Sequence, residues 1–193
     1  MNQPSLSSLT VRELLRAVAD QTSAPGGGAS AAMTAALAAA LTAMAGRFST
    51  VQDPAGAPAA VQTAEALSTR AAALADADVA AYGEYLAARR RERDTDSTAR
   101  ETQEALSRAV DVPLEVSTLA TQVAELAANL VRDGNPNLRG DAVTAVLLAA
   151  AASVAAADLV RANLTATPDD PRGPRAAAAA ERARTLADLC RPR

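Results

Sequence analysis

The chain has 193 residues, a net charge of -3, no histidine, and a single cysteine, Cys190. The absence of histidine excludes histidine-based triads, histidine-ligated zinc or haem, and imidazole proton shuttles; no metal site is expected. The small charge offers nucleic acid no basic surface, and a lone cysteine excludes an intrachain disulfide and fits a reducing, cytoplasmic location.

Hydrophobic residues make up 49% of the chain but aromatics only 2%, so alanine supplies most of the apolar surface. Alanine is the strongest helix former and buries little area per residue. The expectation is therefore an all-α, up-and-down helical bundle of six or seven helices. It forms one domain over residues 1–193, with 1–8 and 190–193 as loose ends. Two central alanine-rich helices gain stability from close approach or from a second copy of the chain, which makes a homodimer the expected state.

In chain order, the opening "MNQPSLSSLTVRELL" has no basic segment followed by an apolar run, so no signal peptide is expected. "TVRE" spells a capping box from Thr10 to Glu13, starting a first helix that ends near Asp20. "SAPGGG" then breaks the chain, and a second helix covers 29–48. A third begins near Pro58, a residue suited to a first helical turn, and runs to about Arg91 before the charge run "RRRERDTD". A fourth starts near Ser97, and Pro113 in "DVPLEV" should kink or divide it. Gly134 and Pro136 stop it; Asp141 can cap a fifth helix reaching Leu164; a last one covers 175–189. Segments 29–46 and 142–157 are long and apolar, but their alanine content fits buried bundle helices better than membrane spans.

Four clusters are candidates for chemistry. Pro25, Gly26, Gly27, Gly28 and Ser30 form a glycine-rich entry to a helix. Such a run permits positive φ and close approach, and it turns free N–H groups outward. It reads either as a hinge or tight crossing, or as the wall of a site. No Lys-Ser/Thr follows, so it is not a nucleotide-binding P-loop. In "ADADVAAYGEY", Asp76 and Asp78 stand inside an alanine helix, where aspartate is a poor choice; Tyr82 lies four residues after Asp78, on the same face. An acid beside an aromatic ring suits a flat, partly cationic ligand, and a solvated face is the alternative. In "GNPNLRGD", Asn135, Asn137, Arg139 and Asp141 share one tight loop, where arginine could grip a carboxylate and amides read a heterocycle. Asn163, an amide in an apolar helix, needs a partner, whether a ligand or the protein itself.

"APGGGAS", "DADVAAY", "VPLEV", "GNPNLRGD" and "RANL", in this order, resemble the cyclodeaminase/cyclohydrolase family. That family includes the cyclodeaminase domain of formiminotransferase-cyclodeaminase and the methenyltetrahydrofolate cyclohydrolases. The resemblance spans residues 9–189. It implies an all-helical subunit that dimerises, a folate site near the dimer interface, and no permanently bound cofactor. It implies Asp78 as catalytic carboxylate with Asp141 assisting. Pro25, Gly26, Gly27, Gly28, Ser30, Asp76, Tyr82, Asn135, Asn137, Arg139 and Asn163 would then be substrate-binding. The implied activity is cyclodeamination of a formimino-folate or hydrolysis of a methenyl-folate. A family member that binds a folate-like ligand without turnover is the alternative. The chain departs from its relatives in keeping only Arg47 of a basic pair after the second helix, in carrying Gly140 where they have serine, and in ending the long helix in "ARRRERD".

Overall fold

The computed structural model describes residues 5–94 and 99–191. Among the described residues there are six α-helices: α1 (Val11–Ala19), α2 (Gly27–Arg47), α3 (Gly56–Asp94), α4 (Ala99–Asp133), α5 (Arg139–Asn163) and α6 (Arg172–Cys190). Two 3-10 turns, Leu6–Ser8 and Pro136–Leu138, complete the set, and no strand occurs among the described residues. The expected start at Ser97 lies outside the described residues.

Local signals set most boundaries. The Thr10–Glu13 capping box forms as spelled, with each residue's side chain accepting the other's backbone N–H. Helix α2 starts two residues before the predicted 29, because Gly27 and Gly28 occupy its first turn. No glycine among the described residues takes positive φ, so the glycine run serves close approach rather than an unusual backbone. Pro58 stands at the third position of α3, still within the first turn, where a missing N–H costs no helical hydrogen bond. Asp141 does not cap α5; Leu138 is the N-cap, and Asp141 sits in the first turn, where its charge complements the helix dipole.

Pro113 neither divides nor ends α4, which runs through it. The proline is fully buried, and packing against its neighbours outweighs the backbone hydrogen bond it forfeits.

The core is alanine laid against alanine. Ala32, Ala35 and Ala39 of α2 are sealed with Ala145, Ala149 and Ala156 of α5, while Ala71 and Ala75 of α3 and Ala120, Ala124 and Ala127 of α4 close the sides. A chain without large core side chains packs its backbones close together instead. This corrects the reason given for dimerisation: the alanine faces of segments 29–46 and 142–157 meet inside one subunit. Both helices are long and apolar enough to cross a membrane by length and composition, yet each presents its alanine face to the other. A buried hydroxyl set ties α4, α5 and α6 together: Ser153 Oγ lies 3.1 Å from Ser117 Oγ and 3.0 Å from Thr121 Oγ1, and Thr121 donates to the Ala179 carbonyl.

Of the expected loose ends, residues 1–4 and 192–193 lie outside the described residues, and contacts anchor Ser5, Leu6 and Cys190. Leu6 is buried, its N–H donates to Asp76 Oδ1 at 2.8 Å, and Ser5 Oγ donates to Asp76 Oδ2 at 2.5 Å. Cys190 closes α6 inside the core, and burial pushes its thiol pKa up.

Candidate active site

Helices α2 and α5 run antiparallel, so the start of α2 and the end of α5 share one end of the bundle. There α3 and α4 join them around a cavity of about 300 Å³. Its walls include the glycine turn from Gly26 to Gly28, Asp78 and Tyr82 of α3, Ala109 and Pro113 of α4, and Leu159 and Asn163 of α5.

Asp78 is held by the start of α2. In the first turn of a helix the N–H groups have no intrahelical acceptor. Ala29 gives its N–H to the Asp78 carboxylate. The remote carboxylate thus completes the cap that glycine at position 26, having no side chain, cannot supply. The close approach requires Gly28: a Cβ built there would overlap the Asp78 carboxyl group. A Cβ on Gly27 would meet Leu159 methyls at an ordinary 3.8 Å, and one on Gly26 would enter open space. Asp78 is half-buried, and loss of water pushes its pKa above the ordinary aspartate value, with the Ala29 hydrogen bond opposing part of that rise. A carboxyl that still exchanges its proton in a partly dry site is equipped for general acid–base work.

Asn163 is positioned by a defect. Pro113 has no N–H, so the carbonyl four residues earlier, Ala109, loses its helical donor. Asn163 Nδ2 donates to that carbonyl at 3.1 Å. One Nδ2 hydrogen is thereby used; the side chain keeps a second N–H and the Oδ1 acceptor at the cavity wall. The neighbouring backbone is clamped by Arg172, which donates to Asp170, to Asp111 and to both the carbonyl and hydroxyl of Ser107. That ion pair holds Asp170 well below the ordinary range, at about 2.

The chain matches the formiminotransferase-cyclodeaminase family model over residues 10–182. It is 32% identical over 149 residues, 72% of each chain, to the methenyltetrahydrofolate cyclohydrolase of Methylorubrum extorquens. The chain belongs to the formiminotransferase-cyclodeaminase family. Its fold matches formiminotetrahydrofolate cyclodeaminase from Thermotoga maritima with a TM-score of 0.82 and 25% identity, covering 96% of this chain and 93% of that one.

In this formiminotransferase-cyclodeaminase family member, the structure gathers Gly26, Gly27, Gly28, Asp78, Tyr82 and Asn163 at one cavity. Pro25 lies between two lining residues, after a cis peptide bond from Ala24. Ser30 does not line the cavity, since its hydroxyl and N–H both go to the Gly26 carbonyl. Asp76, two residues from Asp78, is occupied by Leu6 and Ser5 as described above.

The loop 134–141 lies elsewhere. At 1.5 Å per residue, the 22 steps from Asp141 to Asn163 along α5 span about 33 Å. Asn135 Nδ2 donates to the Phe48 carbonyl, its N–H donates to Ser49 Oγ, and its Oδ1 accepts the Asn137 N–H. Asn137 and Arg139 are exposed. Within one subunit, then, Asn135, Asn137, Arg139 and Asp141 do not reach the cavity. Nor does Arg47, which pairs with Glu65 at that same end.

Sequence reasoning passed over Ser23, Ala24, Ala109, Pro113 and Leu159 as lining residues. Pro113 carried a usable signal: a proline inside a helix orphans the carbonyl four residues back, and a lone amide in an apolar helix is a candidate donor to it.

Proposed function

We propose that this chain is a folate-dependent one-carbon enzyme acting at the carbon that bridges N5 and N10 of tetrahydrofolate, with Asp78 as general acid/base. The observation that carries this reading is the Asp78 carboxyl: half-buried, raised in pKa, and fixed against a glycine turn in the wall of a cavity of about 300 Å³. The names of the two relatives support the substrate class.

In the hydrolytic direction the substrate carries an amidinium bridge. Asp78, as the carboxylate, balances that cation and takes a proton from the attacking water. The C–O bond forms and a tetrahedral carbon between two nitrogens results. Asp78 then returns the proton to the departing nitrogen as the C–N bond breaks, and the hydroxyl's own proton is released to water, leaving a neutral formyl group. First-turn N–H groups of α2, which have no intrahelical acceptor, are candidate donors for the oxygen that develops there, and Asn163 Oδ1 is an acceptor for a ring N–H. The sequence relative, a cyclohydrolase, favours this direction. The structural relative favours a second reading, in which N10 attacks a formimino carbon and Asp78 protonates departing ammonia.

The methenyl chromophore separates the two: it disappears in hydrolysis and appears in cyclodeamination. Asp78→Asn keeps an acceptor for the Ala29 N–H but cannot exchange a proton, so turnover should fall by about 10²–10⁴-fold while the variant stays folded. Near-normal turnover in folded Asp78→Asn protein would remove Asp78 from the chemistry.

We further propose that a second copy covers the outer face of α2, where Met33, Leu37, Leu41 and Met44 form a stripe at helical spacing and Leu37 is 62% exposed. Light scattering should give a dimer for the wild type and a monomer for Leu37→Glu; a wild-type monomer would overturn it.

A further inference from the structure

One face of α3 continues out of the cavity beyond Asp78, and its outer part takes no part in the chemistry above. Asp78, Tyr82, Tyr85 and Arg89 are spaced four, three and four residues apart, which keeps all four on one stripe of the helix. Tyr82 ends the cavity wall. The Tyr85 ring lies next along, with centroids 6.3 Å apart and 46° between the planes. The Arg89 guanidinium then sits 5.8 Å from the Tyr85 centroid, over its ring. Eleven residues at 1.5 Å each set Asp78 and Arg89 about 16 Å apart along the helix.

The acids of this region are on another face. Glu84 and Arg91 line a groove with Glu101, Glu104 and Arg108 of α4, and Glu84 pairs with Arg108 at 3.1 Å. Arg89 does not line that groove, and among the described residues the contact recorded for it is the Tyr85 ring rather than a carboxylate. An arginine held over an aromatic ring keeps its donor edge for an anion.

Resting on the folate reading above, we propose that this stripe is the track for the substrate's arylamide-glutamate tail. The order of chemistry along the protein is carboxylate, ring, ring, guanidinium. A methenyl- or formyl-folate presents the matching order: a cationic or polar one-carbon bridge, a benzoyl ring attached to N10, then the carboxylates of glutamate. The ring lies against Tyr82 and Tyr85, and the glutamate carboxylates meet Arg89. Arg47, by contrast, is paired with Glu65 at the far end of α2 and stands away from this stripe.

The test is calorimetric binding of 5-formyltetrahydrofolate and of 5-formyltetrahydropteroate, which lacks the glutamate, to the full chain and to Arg89→Gln, Arg89→Lys and Tyr85→Leu. The wild type should bind the glutamate form roughly three- to tenfold more tightly, with the preference shrinking as salt rises. Arg89→Gln should lose that preference and leave pteroate binding unchanged; Arg89→Lys should restore part of it. Tyr85→Leu should weaken both ligands, since the ring is common to both. Equal wild-type affinity for the two forms, or a preference that survives Arg89→Gln, overturns the track while leaving the folate site in place. Binding of neither form overturns both.

Discussion

The two ends of the α2–α5 pair carry similar chemistry in the sequence and opposite states in the structure. At one end Gly26–Gly28, Asp78 and Asn163 line an open cavity. At the other, Ser49, Asn135 and Asn137 spend their hydrogen bonds on one another and on the Phe48 carbonyl, closing the turn between α4 and α5. A cluster of polar residues becomes a site only where the backbone it serves is already satisfied. At the cavity end, remote groups do that service, Asp78 for α2 and Asn163 for α4, and each keeps one face for a ligand.

The contrast breaks most readily at Gly28. Gly28→Ala should drive a methyl into the Asp78 carboxyl, lowering stability by about 1–3 kcal/mol and turnover with it. Gly27→Ala, one residue earlier, has room against Leu159 and should melt at or above the wild-type temperature. Equal melting temperatures for the two variants would mean that the turn is not locked to Asp78.

Next in size is the proline–amide pair. Asn163→Ala strands the Ala109 carbonyl and should cost about 1–3 kcal/mol in chemical denaturation. Pro113→Ala in the same background returns an N–H to that carbonyl and should recover part of the loss. A strictly additive double mutant would separate the two residues.

At the far end, Asn135→Ala should cost about 1 kcal/mol through its lost cap, with no change in KM. Asp141→Asn should leave kcat unchanged if the cavity is complete within one chain. A large fall in kcat with unchanged melting would show that a second copy brings the two ends together.

The smallest effect is in acid. Because Asp170 titrates at about 2 when folded and near 3.8 otherwise, the Arg172 clamp stabilises above the higher value and is lost as pH falls toward the lower. Asp170→Asn should remove that acid-dependent component, flattening melting temperature against pH between about 3.8 and 2, with Arg172 still bound to Ser107.

Much of this was legible in the chain. The Thr10 capping box, the glycine turn before an alanine helix, and the stop at Gly134 are local events governed by neighbours within a few residues, and they stand where the sequence puts them. Pro113 does not divide its helix, because a helix-breaking preference is weaker than the burial of the helix that contains it. Only the family resemblance separated Asp76 from Asp78 in the sequence, and it made both part of the site: two residues apart on a helix they point to nearly opposite sides, so one reaches Leu6 and the other the start of α2. The polar loop 134–141 looked like a site because spacing counts donors and acceptors but not their partners.

Composition and periodicity alone thus determined an all-helical chain with alanine-lined central helices, and the motif order determined its family. Only the tertiary structure decided which polar residues are free. That choice depends on which backbone groups from distant segments arrive beside them, and on the water they lose when they do. Both are properties of packing, and no local stretch of sequence contains them.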